Sequence, residues 1–351
     1  MNRISRFDTA KTILMGRVVF CHALTFCPGP LAVKEVARFS VLGCAMPLFM
    51  FMSGFLSKPR PLKRSTIGLC LLFILCNTLG NLVLSLSYGI PFDLFRRAPV
   101  MWYLLALIVY RLAMPFFSAI PAIPLVAGAF VLSWSFAFLP TSFPPVVGKL
   151  FAFLPFFVLG HVIARETPLK RFRNWITSGK TPFRNWFLYA FILVAIWTAG
   201  AWFALKGIRP GFLTKNVTFT AFGGGFSTVQ WRIVFQLLYV IMGICFLKLC
   251  PSHETILSNY GARTLPVYLF HPYILIPVAA FVSSHQELSP WFIRYAAMAF
   301  AALVSLAFFH PWFLAAISRL LNCQRRKQSQ LACIPSNDPY PGISSTGDEK
   351  P

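Results

Sequence analysis

The chain has 351 residues, of which 57% are hydrophobic, 16% aromatic and only 12% charged, and its formal net charge is +23. A soluble domain carries about twice that share of charged residues, so a soluble globular enzyme is excluded. The basic excess alone would suit a nucleic-acid partner. Here, however, Lys and Arg fall between apolar runs of about 20 residues, the pattern of topology signals and anionic headgroups, so the bilayer is the expected partner and nucleic acid is not.

The first stretch, residues 6–23 (RFDTAKTILMGRVVFCHA), is apolar enough to enter a membrane yet carries Asp8, Lys11, Arg17 and His22. Arg17 and His22 interrupt the core that a signal peptide would need, and further apolar runs follow at once, so it reads as a retained first helix. Ionisable groups at membrane depth are costly and mark a site or a partner. On a helix Lys11 and His22 share a face, about 16 Å apart along the axis, with Asp8 one turn before Lys11. Arg17 points elsewhere.

Apolar runs predict ten spans, near 10–27, 39–57, 66–87, 99–117, 119–139, 147–164, 185–205, 230–249, 264–283 and 292–316. The expected fold is therefore an all-α, polytopic membrane bundle of about 10 transmembrane helices. The fourth, fifth and sixth are divided only by the proline-rich AMPFFSAIPAIP and LPTSFPP, which turn the chain. With the N-terminus inside, the cytoplasmic side collects about twice as many Lys and Arg as the other, which predicts both termini in the cytoplasm. Residues 1–317 make the transmembrane domain, and the polar 318–351 read as a disordered tail.

None of the nine cysteines forms a close CxxC pair, and there is no P-loop, HExxH, GxSxG or metal-ligand cluster. Chemistry must come from scattered polar residues. A neutral imidazole at His22 can take a proton from a hydroxyl, although an intramembrane His also serves as a hydrogen-bonded structural group. Lys11 either belongs to that site or snorkels to the headgroups. Met46-Pro47-Leu48-Phe49 and Ser53-Gly54-Phe55 lead into Lys58, Arg60, Lys63 and Arg64, a basic loop that obeys the topology rule and can also hold phosphates. Trp102-Tyr103 opens the fourth span, where an aromatic belt is the alternative. FLPFFVLGH ends at Gly160 and His161, and the ninth span puts Tyr268 and His271 on one face.

Together these pieces resemble the membrane-bound acyltransferase-3 family, particularly its fucose 4-O-acetylase-like branch of sugar O-acetyltransferases. The resemblance covers roughly residues 6–280. It rests on Lys11 and His22 with ten residues between them, Asp8 three before the base, Met46 to Phe49, Ser53 to Phe55, Trp102-Tyr103-Leu104, Phe156 to Gly160, and Thr264, Leu265, Tyr268 and His271. Departures are Ala45 where the branch has a histidine, Cys21 where a glycine precedes the first-helix histidine, and the charge at Arg17. The resemblance implies transfer of an acyl group, commonly acetyl from acetyl-CoA, to a carbohydrate hydroxyl at a bacterial inner membrane. It implies no permanently bound cofactor and no metal. His22, Lys11 and Asp8 are then the expected catalytic group. Lys63 and Arg64 are expected to grip CoA phosphates, and Trp102, Tyr268 and His271 to face the substrate. A non-enzymatic transporter or flippase of a lipid-linked saccharide is the alternative, because its bundle also places polar residues inside.

Overall fold

In a computed structural model, residues 3–27, 30–57, 62–93, 100–135, 145–205, 226–285 and 290–319 are described, and every regular element among them is a helix. Seven stretches are long and apolar enough to cross a membrane: Val33–Leu56, Thr66–Tyr88, Val146–Arg165, Phe183–Phe203, Val229–Leu249, Ile256–Ser284 and Trp291–Phe309. The protein is an all-α polytopic membrane protein.

Helix α1 (Ser5–Phe26) is not among them, its mean hydropathy lowered by polar residues that include Lys11, Arg17 and His22, yet it is the axis of the bundle. It packs on α12 (Ile256–Tyr260), α13 (Thr264–Ser284), α14 (Trp291–Leu306) and α2 (Leu31–Ser40), which leaves Arg6 and Asp8 buried and Lys11 and Arg17 half-buried. The helix ends where Cys27 turns extended, ψ 135°, in front of Pro28, whose ring disfavours a helical residue before it.

The second span is one continuous run. It comprises α2, a π-helical turn at Val41–Ala45 and α3 (Met46–Leu56). Pro47 supplies the cause of the π-turn: it has no N–H for the Gly43 carbonyl, and its ring crowds that carbonyl, so the coil widens there. Helix α3 lies against α8 (Pro145–Arg165) in the closest seam of the bundle. Two glycines make the seam. A Cβ on Gly54 would fall on the Phe157 carbonyl, and one on Gly160 would fall on the Phe51 carbonyl. Small residues let backbones touch in this way where lipid supplies no hydrophobic drive between helices.

After α4 (Leu62–Tyr88), the fourth predicted span is built in two pieces. Helix α5 (Trp102–Leu112) passes through Ala113, itself helical, into α6 (Met114–Ala119), together about 27 Å at about 1.5 Å per residue. The described part of the fifth, α7 (Ala122–Ser135), is about 21 Å long, and positions 136–139 of that prediction lie outside the described residues. The tenth prediction ran too far. Its helix closes in a 3-10 turn at Ala307–Phe309, and His310 is extended, ψ 136°, because Pro311 follows it.

Two buried cations fix α9 (Lys170–Thr177), a short helix between spans. Arg6 is 1% exposed and Lys248, on α11 (Phe226–Leu249), 2%. Arg6 donates to the carbonyls of Trp175, Ile176, Gly179 and Cys250, and Lys248 Nζ donates to those of Trp175 and Gly179 at 3.0 Å. The carbonyls at and just past the end of α9 would otherwise be orphaned in a dry place, and their partial negative charge favours cations. Helix α10 (Phe183–Leu205) leaves Phe183, Phe187, Phe191 and Trp202 exposed, a surface suited to lipid.

Candidate functional site

The site begins with a charge cluster at the start of α1. Asp8 Oδ1 accepts from Lys11 Nζ at 3.2 Å, and Oδ2 accepts from Arg3 Nε at 3.0 Å. The carboxylate is nearly buried, because α12 and the turn after it press on the first turns of α1. Thr12 Oγ1 donates to the Leu257 carbonyl at 2.8 Å, and a Cβ on Gly261 would collide with Asp8. Asp8 thus holds Lys11 by the one-turn spacing read from the sequence.

Lys11 stands on the wall of a cavity of about 300 Å³. Three helices supply rungs at helical spacing: Lys11, Met15 and Val18 from α1, Tyr103, Leu107 and Arg111 from α5, and Leu265 and Tyr268 from α13. Helix α3 adds Met46, Phe49, Met52 and Ser53. Because α1 and α13 run opposite to α5, Lys11 and Arg111 share one end, and Val18 and Tyr268 the other. One end is therefore cationic and the rest largely apolar. Within it Ser53 and Tyr103 hydrogen-bond through their hydroxyls at 2.9 Å. The Tyr103 and Tyr268 rings meet at 5.4 Å, and Tyr268 donates its hydroxyl to the Val100 carbonyl at 2.5 Å.

Beyond Val18 the next position on the same face of α1 is His22. Its ring stacks on His271 from α13, centroids 5.5 Å apart and planes 23° apart, and on Phe26 at 5.7 Å. Neither histidine lines the cavity. The link between them is Tyr268, whose ring centroid lies 6.5 Å from that of His271. His271 is fully buried, and its Nδ1 is 2.9 Å from the Val267 carbonyl. A carbonyl only accepts, so Nδ1 carries the proton and Nε2 presents a lone pair. That Nε2 is buried without a hydrogen-bond partner. The His22 ring has stacking partners but no hydrogen-bond partner among the described residues. A buried, unpartnered imidazole nitrogen is a group available to take a proton.

The remaining predicted positions are placed differently. Trp102 turns away from the cavity to stack on Phe153 at 5.0 Å, with Lys149 Nζ 5.4 Å over its ring, and its neighbour Tyr103 faces the cavity instead. The side chains of Lys63 and Arg64 lie outside the described residues. No group of three or more His, Cys, Asp or Glu among the described residues is arranged to hold a metal.

Two elements were not singled out from sequence. In the sequence Arg111 counts only toward the Lys and Arg asymmetry, yet the spacing 103, 107, 111 puts it on the face of Tyr103. The other is a buried polar cluster, where Gln236 Nε2 donates to Ser133 Oγ at 2.8 Å and Trp134 Nε1 to Gln236 Oε1 at 3.0 Å. Beside them Arg232 is 1% exposed, touches Ser133 at 3.4 Å and leaves Nε and Nη1 without partners. Arg6 and Lys248 share carbonyls and so sit level with each other. His22 and Arg232 lie sixteen residues from them on antiparallel helices, hence at a common depth about 24 Å away.

Residues 4–310 match the family model of the acyltransferase domain known as acyltransferase-3. Comparison with curated proteins and comparison with solved structures return no match.

Proposed function

Since the chain belongs to the acyltransferase-3 family and is a membrane acyltransferase, we propose that it moves an acetyl group from acetyl-CoA to a carbohydrate hydroxyl. The acceptor is a sugar of a surface glycan, lipid-linked saccharide or secreted oligosaccharide, as in the fucose 4-O-acetylase-like branch. The observation that carries this reading is the His22–His271 pair beyond the inner end of a cavity whose other end holds Lys11 and Arg111.

In this reading the donor enters from the cationic end, its phosphates near Lys11 and Arg111 and its thioester arm along the apolar wall past Ser53 and Tyr103. Asp8 positions Lys11 without neutralising the cavity mouth, since it is shared with Arg3. Lys63 and Arg64 are also assigned to CoA phosphates in this reading, as the resemblance implies. The acceptor hydroxyl comes from the opposite face. Its oxygen attacks the thioester carbonyl while His22 takes the hydroxyl proton, the C–S bond breaks, and the departing thiolate takes that proton from His22. The His271 ring stacks on that of His22, and its buried, unpartnered Nε2 is the second group available to take a proton there. Tyr268, at the inner end of the cavity, borders the acceptor side. In this reading the protein sits in a bacterial inner membrane, and the excess of Lys and Arg in alternate loops supports both termini being cytoplasmic.

Purified protein given radiolabelled acetyl-CoA and its host's glycan fraction tests the reading. Label in the glycan supports it. A transporter would move no label, and an acceptor class other than carbohydrate would redirect it.

A further inference from the structure

A second cavity, about 200 Å³, lies between α3, α8, α9 and α11, away from the residues of the site above. Its wall is almost entirely apolar, including Leu48, Phe51, Ile163, Ile176, Val240 and Ile244, with Tyr239 the one described lining residue that bears a side-chain polar group. An apolar cavity stays dry and takes apolar ligands. In a bilayer the abundant apolar ligand is an acyl chain.

Helix α9 tells which chain. It is too short to span, and its sequence KRFRNWIT is amphipathic. Phe172 and Ile176, one turn apart, line the cavity, while Lys170 and Arg171 are exposed. Lys180 and Arg184 follow, also exposed. None of these four cations is ion-paired among the described residues, and the nearest acid in sequence, Glu166, is bound to Arg165 at 2.8 Å. The Phe172 and Trp175 rings stack at 5.6 Å, each about one-third exposed, as aromatic residues do at a headgroup level. The helix cannot drift from this place, because Arg6 and Lys248 hold the carbonyls at its end. An apolar slot capped by an anchored, unneutralised basic helix is complementary to one molecule with both properties.

We propose that this is a binding site for an anionic phospholipid, one acyl chain in the cavity and the headgroup phosphate on Lys170 and Arg171. The site lies in the leaflet on the basic side of the membrane and is independent of the acyl-transfer reading.

The full chain, purified in micelles, is exposed to phosphatidylglycerol bearing a photoreactive diazirine in its acyl chain, and labelled residues are mapped by mass spectrometry. Label is expected on cavity residues of α3 and α11, such as Leu48, Val240 and Ile244. Unlabelled phosphatidylglycerol should compete about tenfold better than phosphatidylcholine with the same chains. The surface variant K170Q/R171Q should erase that preference. In Gly243→Leu the new side chain starts 3.6 Å from Leu48 Cδ1, fills the cavity and should lose the label. If that variant does not fold, wild-type mapping and the surface variant decide. Label confined to the lipid-facing side of α10, or equal competition by the two lipids, overturns the proposal. So does a long-chain acyl-CoA that competes better than phosphatidylglycerol, because the slot would then be a donor site.

Discussion

Replacing Gly160 by alanine tests whether the α3–α8 seam sets the geometry of the cavity. The added Cβ would land on the Phe51 carbonyl, with Phe51 C and Phe55 N also crowded, and backbone cannot swing aside as a flexible side chain can. The helices must therefore separate. Overpacking costs about 1–3 kcal/mol, and a backbone obstacle puts this change near about 3 kcal/mol. That is about 100-fold in the folded-to-unfolded ratio, at about 1.4 kcal/mol per factor of ten. Gly54→Ala strikes the Phe157 carbonyl across the same seam and should cost a similar amount. The informative variant is the double one. A single separation relieves both contacts, so Gly54→Ala/Gly160→Ala should cost little more than either alone, a coupling of about 2–3 kcal/mol. Thermal unfolding in micelles measures this. Ser53 rides on α3 beside Gly54, so all three variants should also loosen its 2.9 Å bond to Tyr103 and raise the KM for the acyl donor. Strictly additive losses, or full stability in either single variant, would refute the seam.

Four further outcomes follow from the site. His271→Ala removes the buried Nε2 and should slow acyl transfer by about 10²–10⁴ with little change in donor KM, read from steady-state kinetics. Arg111→Gln should do the reverse, raising the KM for acetyl-CoA while leaving that for dephosphorylated pantetheine thioesters unchanged. Asp8→Asn breaks bonds to partly exposed Arg3 and Lys11, so it should cost only about 1 kcal/mol in unfolding, yet leave Lys11 unheld and raise donor KM. Arg232→Met removes a buried cation with two unpartnered nitrogens and should raise the unfolding temperature; a fall would mean that the guanidinium is compensated.

The sequence carried what depends on local spacing. The all-α membrane class, the Asp8–Lys11 pair and the stripe from Lys11 to His22 all follow from a period of 3.6 and from charge at membrane depth, although seven of the ten expected spans are long and apolar enough to cross among the described residues. It could not carry what depends on which helices meet. His22 and His271 are 249 positions apart, and nothing local announces that their rings stack. Trp102 and Tyr103 are adjacent, and which of them faces the cavity is decided by the rotation of α5 against α8, through Phe153 and through the Tyr110 hydroxyl bonded to the Leu150 carbonyl. The glycines of the Ser53–Phe55 and Phe156–Gly160 segments looked like site motifs. In the fold they press two backbones together, and the site gains from them only by position. The end of the last span was missed because the proline that stops it sits inside an unbroken apolar run.

The most direct measurement compares acetyl transfer from labelled acetyl-CoA to the host glycan by the wild-type chain and by His22→Ala, at equal amounts of folded protein. The account predicts label in the glycan with the wild type and a loss of at least about 10²-fold in the variant. Undiminished transfer by His22→Ala would contradict it.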